Sequence, residues 1–242
     1  FRSSASATLA GGTVTLTGTA FGGTFKATQS VNGGSIGAAL PVYQSFVVQT
    51  APGFVQLSSS KANDFTLDIR RDGTLWAWGI NSNGQLGDTT NSSRRTPVQV
   101  GSATNWSSVS CGTSHVVALR TRGTMYAWGL NSSGQVGDSS VTQRTSPVQI
   151  GTLAQLGVTK VWSLVSAGAT HTVAVANDGT LWAWGGNSNG QVGQNSTLTT
   201  TYSTPTRIGT ASTWSISGQT LSAGADFTLA IERIVAGLAS HP

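Results

Sequence analysis

Three stretches of this chain are near copies of one another: Asp72-Gly-Thr-Leu-Trp-Ala-Trp-Gly79, Arg122-Gly-Thr-Met-Tyr-Ala-Trp-Gly129 and Asp178-Gly-Thr-Leu-Trp-Ala-Trp-Gly185. Each is followed by an Asn-x-x-Gly-Gln-x-Gly string, beginning at Asn81, Asn131 and Asn187. The tryptophans that anchor the copies, Trp78, Trp128 and Trp184, stand 50 and 56 residues apart. Repetition at this period commits a chain to tandem units whose cores form where neighbours stack, because one such unit cannot bury its apolar face alone.

The parts of the unit read as strands. Asp72-Gly73, Arg122-Gly123 and Asp178-Gly179 place a residue tolerant of positive φ between alternating apolar runs, a tight-hairpin signal. Leu75 and Ala77 alternate with Trp76 and Trp78, so each strand has one face of smaller residues and one of large aromatics. Downstream come Pro97-Val-Gln-Val-Gly101, Pro147-Val-Gln-Ile-Gly151 and Pro205-Thr-Arg-Ile-Gly209, read as strands that begin at the proline, where a missing N–H costs least. Trp-led strands follow from Trp106, Trp162 and Trp214. Gly112-Thr-Ser-His-Val-Val-Ala-Leu119 and Gly168-Ala-Thr-His-Thr-Val-Ala-Val175 supply the next, with weaker copies at Asp64-Phe-Thr-Leu67 and Asp226-Phe-Thr-Leu229. One repeat therefore holds four short strands.

In this order the strings GxxHxxAL, DGTLWAWG, NxxGQLGD and TPVQVG closely resemble the regulator-of-chromosome-condensation repeat, whose members fold as β-propellers. The resemblance covers roughly residues 60 to 232. It implies an all-β fold of tandem four-stranded blades, three full repeats plus a half, in a short form such as a phage or bacterial surface protein would carry. Family propellers normally close with seven blades, so a chain of this length is expected to form an incomplete ring. The missing part is accounted for by a longer parent protein, an arc with capped ends, or blades shared among chains. The terminal copies are degenerate, with Phe65 and Phe227 where His115 and His171 stand, as expected where one face lacks a blade neighbour.

Residues 1–59 carry no tryptophan and no repeat signature, but alternate over Thr13–Thr17 and Val42–Val48 between Gly-rich turns. They are expected to form a separate β-rich docking segment or a degenerate blade with two to four strands, and residues 60–242 to form the repeat array. The chain opens at Phe1 and its one methionine is Met125, which fits a processed product or a segment of a longer protein.

Composition narrows the function. Charged residues are 9% of the chain, against about 25% in an average soluble domain, while Gly, Ser, Thr and Asn abound, a balance suited to a β-rich surface, secreted or particle protein. The net charge of +5 reflects few acids rather than many bases, so nucleic acid is an improbable partner. One cysteine, Cys111, excludes an internal disulfide, and with three histidines it leaves no metal-ligand cluster; no cofactor is expected. No apolar run approaches the roughly 18 residues of a membrane-spanning helix.

Candidate chemistry is sparse. Gly33-Gly34-Ser35-Ile36-Gly37 matches the nucleophile-elbow string, but nothing helical follows and no acid precedes Asp64, so it reads as a flexible turn. His115 and His171 recur at one repeat position and read as structural, since equivalent positions on neighbouring sheets lie about 10 Å apart and cannot share a metal. Cys111 stands where Ala167 and Ala223 stand and reads as a small buried filler. Asp88 and Asp138 read as turn caps; the Asn and Gln of the Asn-x-x-Gly-Gln strings read as satisfying loop backbone groups. The loops 89–96, 139–146 and 195–204 vary while their framework stays fixed. Arg94, Arg95 and Arg144 fall in them and are the candidate ligand residues, suited to an anionic or glycan surface.

The sequence thus points to a non-enzymatic structural or binding protein of a virus particle or microbial surface, of decoration, knob, fibre or adhesin type. Its expected partners are other proteins, or copies of itself, covering open blade edges, with a host glycan as a further candidate. Two alternatives stand beside it: guanine-nucleotide exchange or chromatin binding, as in the family's best-known role, and a glycan-binding adhesin.

Overall fold

A computed structural model describes residues 4–9, 12–17, 26–30, 54–60, 62–194, 201–218 and 220–232. The chain divides into two compact units, one before and one after the junction of Pro52 and Gly53. In the first unit, β1 (Ser4–Leu9), β2 (Gly12–Thr17) and β3 (Lys26–Ser30) form an antiparallel meander in the order β1-β2-β3. The expected strand over Thr13–Thr17 lies within β2; Val42–Val48 and the Gly33–Gly37 string lie outside the described residues.

The second unit is a row of antiparallel sheets. The first contains β4 (Phe54–Ser59), β5 (Phe65–Arg70), β6 (Leu75–Gly79) and β7 (Arg94–Gln99), in that order. β8 (Trp106–Cys111), β9 (His115–Arg120), β10 (Met125–Gly129) and β11 (Arg144–Ile150) form the second sheet. After a short helix α1 (Leu153–Leu156), the third holds β12 (Trp162–Ala167), β13 (His171–Ala176), β14 (Leu181–Gly186) and β15 (Thr201–Arg207). The two-stranded fourth contains β16 (Leu221–Ala223) and β17 (Thr228–Ala230). This is the expected all-β array of three four-stranded blades and a half.

Three details differ from the sequence reading. Phe54–Ser59, placed there with the N-terminal segment, is the first strand of the first blade, so the array begins ahead of residue 60. Its polar alternation hid it, because a first strand satisfies its neighbours through side-chain hydrogen bonds as well as through burial. The prolines do not begin their strands: Pro97, Pro147 and Pro205 lie inside β7, β11 and β15. Each of these is the fourth, edge strand, and its register shifts beside the proline, where Ala77 pairs with Val98 but Gly79 with Arg94. A bulge on an edge strand tolerates the missing donor. Trp214 does not open a full strand but forms an isolated bridge with Glu232, and β16 begins only at Leu221.

The hairpins follow from their turn residues. Arg70 accepts from the Gly73 amide at 2.9 Å and donates to the Thr74 carbonyl, leaving a three-residue loop. Gly73 sits at φ 75° with its α-carbon against the Thr104 carbonyl, so a side chain there would collide with backbone. Asp72 locks the turn by accepting from the Thr74 amide at 3.0 Å and hydroxyl at 2.6 Å.

The core lies between blades. Leu67, Ile69, Leu75 and Ala77 of the first pack with Trp106, Val109 and Trp128 of the second. Val117, Leu119, Met125 and Ile150 of the second pack with Trp162, Ala174 and Trp184 of the third. Successive blades approach most closely along their first two strands. The Trp162 ring stands edge-on to Trp182 at 6.0 Å and tilted to Trp184 at 6.2 Å, arrangements that aromatic quadrupoles favour.

Candidate functional site

The Asn-x-x-Gly-Gln-x-Gly loops join each third strand to its fourth. Asn81, fully buried, donates through Nδ2 to the Thr90 carbonyl at 2.9 Å, the Ser92 carbonyl at 3.1 Å and the Asp88 carboxylate at 3.0 Å. Its Oδ1 accepts from the Leu86 amide at 2.9 Å. Asn131 repeats the set with Ser140, Thr142, Asp138 and Val136. One buried amide therefore serves four groups of each loop, and this satisfaction explains why Asn recurs there. It also leaves Asn131 no accessible amide for glycosylation in the folded chain, although Asn131-Ser-Ser fits the acceptor pattern; Asn91 and Asn105 are exposed.

The candidate arginines divide. Arg94 donates through Nε to Asp88 Oδ2 at 2.6 Å, and Arg144 holds Asp138 in the same way at 2.5 Å. Both ion pairs close the loop on itself and leave the arginines half-buried. Arg95, next in sequence on β7, is exposed. Burial works against the Asp88 and Asp138 charges, but hydrogen bonds from Thr90 and Arg94, or from Ser140 and Arg144, outweigh it and hold both carboxyls below their ordinary value. In the third repeat Gln194 replaces the aspartate and donates to the Arg207 carbonyl at 2.7 Å; residues 195–200 lie outside the described part.

These loops also staple blades together. Thr89 and Ser139 take left-handed φ values of 70° and 69°, rare outside glycine, and their amides donate to the Thr145 and Ser203 carbonyls of the next blade at 2.8 and 2.9 Å. A second staple was invisible in the sequence. His115 Nε2 meets Thr172 Oγ1 of the following blade at 2.9 Å, and that hydroxyl donates to the Gln135 carbonyl at 2.8 Å, which also accepts from the Trp184 indole at 3.1 Å. His171, Thr228 and Gln191 repeat the first two links. Ser58, Ser110 and Ser166 form a third series, each accepting from a first-strand amide of the next blade, at Cys111, Ala167 and Ala223. Sequence spacing does signal these serines, which stand 52 and 56 residues apart, but only once the blade register is known.

The recurrent histidines are thus structural, packed over Gly112 and Gly168, where a side chain would run into the ring. Cys111 is buried in the first inter-blade core, and that burial pushes its thiol up to about 12, far from a reactive thiolate. Among the described residues no group of three His, Cys, Asp or Glu side chains is placed to hold a metal ion.

Blades built from these strings, in this register, match the model of the regulator of chromosome condensation (RCC1) repeat over residues 72–119, 122–175 and 178–231. The chain belongs to the RCC1 repeat family. A second RCC1 repeat model matches residues 106–135 and 162–191, which lie within the second and third blades. Among curated proteins, the ultraviolet-B receptor UVR8 of Arabidopsis thaliana is 31% identical over 137 residues, 56% of this chain and 30% of that protein. Among solved structures, Prp20p of Saccharomyces cerevisiae superposes with a TM-score of 0.60 at 22% identity, over 73% of this chain and 43% of its own. Human WBSCR16 gives the same score and identity over 74% and 44%. The chain therefore spans less than half the length of these relatives, and the structural likeness concerns the RCC1 propeller fold. The Prp20p structure is described with binding to Gsp1p and histones, and a further structure shows yeast RCC1 (Prp20) bound to Kap60.

Proposed function

We propose that this chain is a non-enzymatic binding scaffold of a particle or microbial surface, whose RCC1 repeats serve assembly or loop-mediated attachment. The carrying observation is where its polar side chains go. The recurrent Asn, Gln, His, Thr and Asp residues are used to hold loops and blades, and they converge on no reaction centre among the described residues. Meanwhile large apolar side chains remain exposed at both ends of the row: Val55 and Leu57 on β4, and Phe227, Leu229 and Ile231 on and beside β17. Apolar groups clustered on strand faces mark contact surfaces. The low charge and the Ser/Thr/Asn/Gly richness support an external setting.

The test is immunogold labelling of intact particles or unpermeabilised cells from the native source, with the mass of the released assembly. Surface labelling and a mass far above one chain are expected; a monomer confined to the cytosol would overturn the proposal. The family match supports a second reading, a protein-binding regulator like Prp20p, whose described partners include Gsp1p. Accelerated nucleotide release from a small GTPase on addition of this chain would favour that reading. Within the surface reading, Arg95 is the one of the three candidate arginines best placed to meet an anionic glycan, being exposed while Arg94 and Arg144 hold carboxylates.

A further inference from the structure

The turn between the second and third strands carries one pattern in the first and third blades and its reverse in the second. Asp72 accepts from the amide and hydroxyl of Thr74, whose hydroxyl in turn accepts from the Trp76 indole at 2.9 Å. Asp178, Thr180 and Trp182 repeat this chain of bonds. In the second blade the same positions hold Arg122, Thr124 and Tyr126. An arginine has no acceptor, so Thr124 loses the carboxylate that fixes its counterparts, and it is half-buried where they are buried. A repeat that gives up its turn cap for an exposed cation breaks its own local rule, and such breaks are expected where function, not fold, sets the residue.

A cation also stands over the third-strand aromatic in each blade, and the second blade leaves it without a carboxylate. Arg70 lies over Trp76 at 3.8 Å with Asp68 3.9 Å away, and Lys160 lies over Trp182 at 5.1 Å while holding the Asp178 carboxylate at 2.6 Å. Arg120 lies over Tyr126 at 4.1 Å and Trp106 at 4.9 Å, and its buried Nε has no hydrogen-bond partner. The rings fix the guanidinium plane without using its N–H groups, whose fork matches the two oxygens of a carboxylate. Arg122 is exposed two residues on, and Arg71 is exposed on the turn of the first blade. Residues 104–106 join the two turns: the Trp106 amide donates to the Gly73 carbonyl at 3.0 Å, and the Asn105 carbonyl accepts from the Thr121 amide at 2.9 Å. All eight acidic residues of the sequence lie in the described part, and none forms an ion pair with Arg71, Arg120 or Arg122. No acidic side chain of this sequence therefore fills the site. It lies on the blade that has a neighbour on each side, so it is independent of where the row stops.

The neighbouring turns decide the kind of partner. Along the row, the exposed charges at this turn position run Asp72, Arg122, Asp178. A repeating polyanion laid along the row, such as a nucleic acid or a sulfated glycan, would bring like charges against both aspartates, whereas a compact pair of carboxylates would not. We propose that Arg120 and Arg122, with Arg71 at the rim, form a docking site on the second blade for an acidic segment of a partner polypeptide, two of whose neighbouring carboxylates pair with the two guanidinium groups. The inference rests on the binding role proposed above and names the chemistry of the partner.

The probe is a labelled hexaglutamate peptide added to the full chain, with binding followed by anisotropy at low salt. Saturable binding is expected. Arg122→Asp, which restores the residue of the other repeats, should weaken it at least tenfold, about 1.4 kcal/mol, while raising the thermal midpoint as the Thr124 cap returns. Arg120→Lys keeps the charge without the fork and should bind the peptide more weakly than the parent chain. Lys26→Asp, the same change of charge in the first compact unit, should leave the affinity unchanged. An equal loss from Lys26→Asp would reduce the binding to net charge and overturn the inference, as would no saturation by about 1 mM, a free energy near −4.1 kcal/mol. A lower thermal midpoint for Arg122→Asp would show the arginine serving the fold and would overturn it too. So would tighter binding of a heparin hexasaccharide that Arg122→Asp abolishes, which would make the partner a glycan, or self-association lost in the same variant, which would make it a second copy. Surface labelling of the native protein combined with no peptide binding would sink this site alone and leave the scaffold reading standing.

Discussion

At the scale of single residues, the chain shows how one repeat position can carry opposite electrostatics. The equivalents of Ala118 and Ala174 include Asp68, which is buried, with burial pushing its carboxyl up and the nearby Arg70, 3.9 Å away, only partly opposing it. A carboxyl raised in the folded state favours folding below its unfolded value and opposes it as pH rises through the folded value. Asp68→Ala, which restores the repeat residue, is expected to stabilise the chain by about 1 kcal/mol at pH 7, with the gain vanishing near pH 3.5 in urea titrations. Asp88, Asp138 and Asp178 behave in reverse. Burial opposes their charges, yet the Arg94, Arg144 and Lys160 partners and adjacent hydroxyls lower all three, Asp178 to about 2. Their contribution is present above the ordinary aspartate value of 3.8 and is lost as pH falls from there toward 2. Asp138→Ala removes the carboxylate that Asn131, Ser140 and Arg144 share, and is expected to cost about 1–3 kcal/mol at pH 7, much less at pH 2.5.

Among elements, the third strand has the same string in every blade but not the same surroundings. Trp128 and Trp184 are fully buried because a preceding blade lies under each, whereas Trp78, on the first blade, is only half-buried. Trp184→Ala should therefore cost about 3–5 kcal/mol, and Trp78→Ala at least 2 kcal/mol less on the same additive reasoning, compared by denaturant midpoints at equal slope. The glycine before each recurrent histidine is similarly placed by contact. Gly168→Ala would drive a methyl into the His171 ring, and is expected to cost about 1–3 kcal/mol with loss of cooperativity in the thermal transition. Second strands also co-vary across blades. Phe65 shares an apolar cluster with Val116, while His115 and His171 meet the hydroxyls of Thr172 and Thr228. An aromatic or an imidazole is thus chosen by the residue on the next blade.

For the whole molecule, a row of blades in which each touches its neighbours gains stability repeat by repeat. The second blade is covered on both sides, and its second strand is almost wholly buried, while β17 alternates between half-buried and exposed. Hydrogen exchange should proceed from the ends inward, with β16 and β17 exchanging ahead of β9 and β13 by at least tenfold; uniform exchange over the row would instead mean one cooperative unit. Phe227, Leu229 and Ile231 are exposed, and shielding of these residues by a partner should slow exchange most at β17.

By itself, the sequence determined the repeat, the hairpins and the count of blades. Those depend on local chemistry: Gly73 where backbone approaches backbone, alternation in Leu75–Trp78, and copies too regular to arise otherwise. Only the tertiary structure decided what lies between blades. It showed Phe54–Ser59 to be a blade strand, put Pro97 at an edge bulge, and tied Arg94 and Arg144 to their own loops' aspartates while leaving Arg95 exposed. It also joined His115 to Thr172 and the Trp184 indole to the Gln135 carbonyl. Such links connect residues some 40 to 60 positions apart, so no local pattern encodes them. They follow from the register in which one sheet is laid upon the next, which depends on how side chains from two repeats fill a shared volume.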